Sequence, residues 1–200
     1  NSRHMLDFPY ETTSRIDGQI TSVDRNVWTI SGSKVYPNSN WTRINNQPLR
    51  MNSQTTRLDG YGNVMESSNG RGIYNTVLYA YDNLHPVATI TNARYTAVIN
   101  ARDESSPHGR IGETIIELDV SYSGLQTLST SSLKTELTKL YSRMPEAMIE
   151  LTFYDDNGNI TSQIDSRRAE MKHAYDGFNR LIHTTNASNQ VIQKNVYNYH

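Results

Sequence analysis

Residues 149–200 read IELTFYDDNGNITSQIDSRRAEMKHAYDGFNRLIHTTNASNQVIQKNVYNYH, and this stretch decides the fold class. Tyr154-Asp155 returns 21 residues later as Tyr175-Asp176, and Tyr197-Asn198 follows 22 residues after that. Each unit runs from an alternating strand into an aromatic–Asx pair, then turn residues, then a return strand that opens with Ile160 or Leu181. Repeats of about this length are single supersecondary units, which bury their apolar faces only by stacking on one another. Asn157-Gly158 between alternating runs predicts a hairpin closed by a type I′ turn, with positive φ at both central positions. Gly177 and Asn179 supply the turn chemistry in the second unit. An Asp ahead of such a turn can accept hydrogen bonds from the turn's own amides, and the Tyr ring is expected to lie over the next hairpin. Ile149–Tyr154 should therefore pair antiparallel with Ile160–Ile164.

Working back from the repeat, Leu133, Leu137, Leu140, Tyr141 and Met144 fall on one face of a helix over about 132–144. Ser131 or Ser132 can cap it, and Pro145 stops it. Before it, Glu113–Tyr122 alternates strictly and predicts a half-buried antiparallel strand. Residues 100–112 carry charge, Pro107 and two glycines and read as an exposed loop. Residues 91–99 fit either a strand or a helical turn. Val87–Thr91 and Thr76–Asp82 read as strands, with Val77, Tyr79 and Tyr81 on one face of the second. In residues 6–58, rich in Asn, Ser, Thr and Arg, short strands are expected at 18–23, 27–30 and 33–36. Turn chemistry separates them at Asp17-Gly18, Ser31-Gly32, Pro37-Asn38 and Asn45-Asn46. The fold expectation is mainly β: antiparallel hairpins in a meander with one amphipathic helix. The organisation expected is a cloning scar at 1–5, an N-terminal β-rich region at 6–99, the loop at 100–112, and a strand, a helix and repeat hairpins over 113–200.

The composition agrees with this class. Only 36% of the 200 residues are hydrophobic, yet there are 13 tyrosines against 3 phenylalanines. Tyrosine suits a pleated surface with its ring inside and its hydroxyl at the edge. Nineteen basic and 20 acidic residues leave a net charge of -1, with no long run of one sign, which gives nucleic acid or an anionic membrane no electrostatic handle. No cysteine is present, which excludes disulfides and thiolate metal sites. No apolar run approaches the ~20 residues of a membrane span.

Tyr154-Asp155…Gly158-Asn159-Ile160 and Tyr175-Asp176-Gly177-Phe178-Asn179-Arg180-Leu181 resemble the YD repeat of the Rhs family, whose core runs roughly YDxxGRL. YDGFNRL departs from it by Asn179 in place of Gly, and Asn also tolerates left-handed backbone. In the first unit Gly158 comes one residue late and Asn159 stands in the place of Arg. Leu58–Asn63 (LDGYGN) looks like a degenerate copy with Leu for Tyr. The stretch from Tyr79 onward is similar to the C-terminal region of Rhs-like surface proteins of Bacteroidetes. The resemblance implies a secreted or cell-surface polypeptide, longer than this chain, whose repeats wind into β-sheet ribbons or shells. It also implies association with carbohydrate or with cell-surface partners; no membrane insertion is expected, since no apolar run is long enough. Tyr154, Asp155, Gly158, Tyr175, Asp176, Arg180 and Leu181 are then the structural residues of the repeat.

Candidate sites are weighed against that framework. Asp155-Asp156-Asn157-Gly158-Asn159 has a superficial calcium-loop look, but an EF-hand needs Gly and Glu where Ile160 and Ser166 stand; a hairpin turn explains it better. The histidines show no HxxxH or HExxH spacing. Paired carboxylates such as Asp155 with Asp165 could support acid/base chemistry on a glycan, but aspartates in the turns of a repeat point instead to framework. Trp28 and Trp41, set among Asn and Arg, have the chemistry of sugar platforms, a flat apolar ring beside amide donors; ordinary packing is the rival account. The expectation is a non-catalytic scaffold that needs no cofactor or metal. A carbohydrate-binding module is the first alternative, and a glycan-processing enzyme with paired carboxylates the second.

Overall fold

In a computed structural model, residues 10–31, 34–102, 125–126 and 128–197 are described. The expected strand at Glu113–Tyr122, most of the 100–112 loop, the N-terminal scar and Asn198 lie outside them. The chain divides into two compact units, Asn1–Tyr74 and Asn75–His200. In each unit the strands follow one another in sequence order and pair antiparallel, which is the expected mainly β meander.

The first unit holds β1 (Glu11–Ile16), β2 (Gln19–Ser31), β3 (Lys34–Ile44), β4 (Arg50–Leu58) and β5 (Val64–Asn69). Asp17-Gly18 closes β1–β2 as a two-residue turn with φ of 49° and 77°, the type I′ geometry. Two corrections apply here. The strands expected at 18–23 and 27–30 are one 13-residue strand, because the polar run Asp24-Arg25-Asn26 pairs without interruption with residues 40–42. Pro37-Asn38 is not a turn. β3 runs through it, with Pro37 opposite Trp28 and a register shift beside it, the kind of bulge at which a sheet tolerates a residue without an N–H.

The second unit holds β6 (Tyr74–Ala80), β7 (His85–Thr91), α1 (Tyr95–Arg102), α2 (Thr130–Thr138), α3 (Leu140–Arg143), β8 (Met148–Tyr154), β9 (Ile160–Ile164), β10 (Glu170–Tyr175), β11 (Leu181–Asn186) and β12 (Val191–Lys194). Residues 95–102 thus resolve as helix, so Asn100–Arg102 belong to α1 and not to the loop. β7 pairs directly with β8 (Ile90 opposite Ile149), so α1, α2 and α3 fall in sequence between two adjacent strands of the sheet. Leu78, Ala88, Ile90, Ile149, Leu151 and Phe153 are buried on the sheet, and Val98, Ile99, Leu133, Leu137 and Leu140 on the helices. α2 lies on β8. At about 1.5–3 kcal/mol for each fully buried large apolar side chain, this face is the main stabilising element of the unit. On β6 the buried residues are Thr76, Leu78 and Ala80; Val77 and Tyr79 are the half-buried face.

The single helix expected over 132–144 is two pieces. Ser129, not Ser131 or Ser132, is the N-cap of α2, its hydroxyl accepting from the Ser132 amide at 3.3 Å. The helix breaks at Lys139, and α3 ends at Met144, whose φ of -132° and ψ of 64° leave the helical region just before Pro145. The apolar stripe survives the break. Tyr141 projects its hydroxyl onto the sheet, donating to the carbonyl of Asp165 at 2.8 Å, with the carbonyls of Ile149 and Ile164 at 3.2 and 3.3 Å.

Candidate functional site

The repeat is a five-residue loop built the same way four times in the second unit. In the loop that opens at Asp155, the Asp155 amide donates to the Asn159 carbonyl at 2.9 Å, and the Gly158 amide donates back to the Asp155 carbonyl at 3.0 Å. Asp155 Oδ1 accepts from the amides of Asn157 and Asn159 at 2.9 and 2.8 Å. The same four bonds recur at Asp165, Asp176 and Asn186. The fourth residue of each loop is left-handed: Gly158 at φ 80°, Arg168 at 67°, Asn179 at 60° and Asn189 at 59°. In the first unit Asp59 and Asn69 open loops with the same bonding, so LDGYGN is a true copy.

This geometry corrects the type I′ expectation. Only Gly158 of Asn157-Gly158 has positive φ, so the connection is a three-residue loop with one left-handed residue, a type I turn followed by a G1 bulge. It also shows that the 21-residue unit is two loops. Those at Asp155 and Asp176 join β8–β9 and β10–β11 at one end of the sheet; those at Asp165 and Asn186 join β9–β10 and β11–β12 at the other. The second set went unnoticed because no Tyr precedes it. The signal that could have found it is an Asx every 10 or 11 residues.

The tyrosines reach backward. Tyr175 donates to the Ile160 carbonyl at 3.0 Å, Tyr197 to the Leu181 carbonyl at 2.9 Å and Tyr154 to the Pro86 carbonyl at 3.2 Å. Each therefore lies over the preceding hairpin, not the next one, and ties its return strand. Tyr154 also stacks on His85, ring centroids 4.5 Å apart. Tyr81-Asp82 is not a repeat pair. With Asn83 it makes a turn of three successive left-handed residues, held by Gln126, whose amide nitrogen donates to Tyr79 O and Asn83 Oδ1 and whose oxygen accepts from the Asn83 amide.

Electrostatics follow from these bonds. Desolvation works to raise the Asp155 carboxyl, but the Asn159 carboxamide and the amides of Asn159 and Asn157 outweigh it and hold it below the usual range. The Arg180 guanidinium, bonded to Asp176 Oδ2 at 2.8 Å through Nε, holds Asp176 low. Arg180 lies 4.5 Å from the Tyr197 ring centroid and 5.2 Å from that of Phe178. Leu181 opens β11. Burial, then the Asp155 charge, raises Tyr175. Carboxylates in this state are acceptors already in use. Asp155 and Asp165 stand at opposite ends of β9, so the structure does not bring them together as a pair. Among the described residues no group of three His, Asp or Glu is arranged to hold a metal ion, and no helix is long and apolar enough to cross a membrane.

The two tryptophans are both half-buried in the β2–β3 pair. Trp41 is opposite Arg25, whereas Trp28 lies three residues further along β2 and so on the other face. The Trp41 indole N–H donates to Ser39 Oγ at 2.8 Å. The Trp28 face carries a carboxamide ladder that sequence reasoning missed. Asn40 Nδ2 donates to Asn26 Oδ1 at 2.9 Å, and Asn52 Nδ2 donates to Asn40 Oδ1 at 2.9 Å and to Thr42 Oγ1. Thr42 donates to Asp24 Oδ1 at 2.9 Å.

No family model matches the chain, and no curated protein matches it. Among solved structures it is similar to the crystal structure of TcdB2-TccC3-TEV, at 10% identity and a TM-score of 0.47, over 88% of this chain and 8% of that one. The crystal structure of TcdB2-TccC3 gives 10% identity and 0.43, over 92% and 9% of the two chains. The Photorhabdus luminescens Tc holotoxin pore gives 9% and 0.43, over 92% and 9%. The chain thus spans less than a tenth of the length of each of these solved chains.

Proposed function

We propose that this chain is a non-catalytic structural segment of a larger secreted or cell-surface polypeptide of the Rhs/YD-repeat kind. Its role is to extend and stiffen a β-meander. One observation carries the reading: the Asx oxygens of every loop are taken up by the loop's own amides, in the same way at each copy. A carboxylate engaged by two backbone N–H groups is a framework acceptor, whereas a general base must be open to a substrate proton. The backward tyrosine tie adds a second repeated link, from each hairpin to the one before it. Such a segment needs neither metal nor cofactor, and its partner is the rest of its own polypeptide.

The experiment is a reducing-end release assay against a panel of plant and bacterial polysaccharides, run with the wild-type chain and with Asp155→Asn. The expected result is no release above buffer from either. Release by the wild type that Asp155→Asn abolishes at an unchanged melting temperature would replace the scaffold reading with a glycan-processing one.

A further inference from the structure

We infer that Asn157 is a site of spontaneous deamidation, and that its conversion opens the loop at Asp155. The inference is independent of the scaffold reading. Asn before Gly is the pair in which a carboxamide most readily cyclises onto the following backbone nitrogen, because glycine has no Cβ to restrict the chain there. Two such pairs occur, Asn69-Gly70 and Asn157-Gly158. Both belong to five-residue loops of the same build, but they stand at different places in them. Asn69 is the head residue, the place that Asp155 takes in the other loop. Its Oδ1 accepts from the amides of Arg71 and Ile73, both at 2.9 Å, so turning the carboxamide toward the Gly70 nitrogen releases two hydrogen bonds. Gly70 is also packed on β4 so closely that an added Cβ would collide with the Met51 carbonyl oxygen. Asn157 is third in its loop and exposed. Among the described residues its Oδ1 accepts no hydrogen bond, and its Nδ2 makes one long bond, to Asn179 Oδ1 at 3.3 Å on the surface.

The reaction takes in one water, releases one ammonia and changes no oxidation state. The Gly158 nitrogen gives its proton to solvent base and bonds to Asn157 Cγ. The Cγ–Nδ2 bond breaks, and Nδ2 leaves as ammonia with a proton from water. Water then opens the cyclic imide at either carbonyl carbon. Opening at Cγ yields aspartate. Opening at the main-chain carbon yields isoaspartate, whose backbone runs through the side chain and is one methylene longer. The native loop opposes closure by one backbone bond, from the Gly158 amide to the Asp155 carbonyl at 3.0 Å, so a local opening of the loop exposes the nitrogen. Both products put a carboxylate where Nδ2 meets Asn179 Oδ1, acceptor against acceptor, and beside Asp155 and Asp156. Isoaspartate also shifts the amides of Gly158 and Asn159 away from the Asp155 carbonyl and Oδ1, to which they bond at 3.0 and 2.8 Å.

The test is incubation of the whole 200-residue chain in mildly alkaline buffer, native and in urea, followed by peptide mapping that separates the asparagine, aspartate and isoaspartate forms. In urea both Asn-Gly pairs should convert at similar rates. In the native chain Asn69 should convert about tenfold more slowly than Asn157, equal to ~1.4 kcal/mol of extra local opening. The melting temperature of the native sample should fall as isoaspartate accumulates. Asn157→Gln keeps a carboxamide but would have to close a larger ring, so the aged variant should hold its melting temperature. Native conversion at Asn69 as fast as at Asn157 overturns the inference, as does an Asn157 that stays intact in the native chain while the urea sample converts. An aged Asn157→Gln chain that loses melting temperature as fast as the wild type overturns the opening of the loop. None of these outcomes alters the polysaccharide assay, so the two proposals fail separately.

Discussion

Tyr141→Phe removes one oxygen from the point where the helices meet the sheet, and its consequence can be worked through in both magnitude and pH. The hydroxyl is the donor to the Asp165 carbonyl at 2.8 Å and lies beside the carbonyls of Ile149 and Ile164, with the residue 8% exposed. A phenol has one proton to give, so one hydrogen bond is lost, which costs about 1 kcal/mol at pH 7. Burial, then the negative charge of Asp165, pushes the Tyr141 hydroxyl up to about 12. In the unfolded chain it ionises near 10. A group whose folded value is raised contributes in full below the unfolded value. Between pH 10 and about 12 only the unfolded state releases its proton, so stability falls as pH rises, by at most ~1.4 kcal/mol per unit. The phenylalanine variant lacks this decline, and the other tyrosines contribute equally to both proteins. In urea titrations the variant should be less stable by about 1 kcal/mol at pH 7 and should meet the wild type near pH 11. Parallel stability curves from pH 8 to 11.5, or equal stability at pH 7, would refute the anchoring role.

The remaining predictions concern the helix core, one loop and one ion pair. Leu137 is fully buried on α2, so Leu137→Asp should cost more than ~3 kcal/mol in chemical denaturation. Gly158 has φ +80°, and a Cβ there would meet the His85 ring at 3.3 Å, so Gly158→Ala should lower stability by about 1 kcal/mol or more, read as a shift in urea midpoint. Asp155→Ala should lower the melting temperature, and Asp155→Asn should lower it less, because a carboxamide oxygen still accepts from the two loop amides and Asn186 already does so in its own loop. Burial works to raise Glu170, but hydrogen bonds from Lys134 Nζ at 2.6 Å and Ser162 at 2.7 Å hold it low. Its contribution is therefore present above pH 4.5 and lost as pH falls through the folded value, so Glu170→Gln should destabilise at pH 7, and in acid denaturation series its deficit should shrink as pH falls below 4.5.

The features readable in the sequence are those in which side-chain chemistry and backbone period agree. Ile149, Leu151 and Phe153 alternate on β8 and Leu133, Leu137 and Leu140 lie at helical spacing, so strand and helix both emerge in the expected places. β4 carries Asn52, Ser53, Gln54 and Thr55 in succession and offers no alternation; its position comes from pairing with β3 and β5. In sequence Asp24-Arg25-Asn26 mimics a turn, because charged and amide residues favour one, whereas in the sheet Asn26 and Asp24 are satisfied across the strands. The loop at Asp165 has neither a preceding Tyr nor a turn-former at its left-handed position, where Arg168 stands. Arg168 donates to the Tyr141 carbonyl at 3.0 Å and lies 5.5 Å from that ring's centroid, and these contacts offset the backbone cost. The separation of the two tryptophans depends on strand parity, which holds because Gln19–Ser31 is one continuous strand.

The alternation of loops between the two ends of the sheet governs how such a gene can grow. The bonds that close each loop run within five consecutive residues. Unequal recombination that copies two strands and two loops, about 21 residues, returns the chain to the same end of the sheet with the same side chains facing inward. Copying one strand and one loop delivers the chain to the wrong end, heading in the wrong direction. Lineages of this protein should therefore differ in length by whole pairs of strands, and odd increments should be removed by selection.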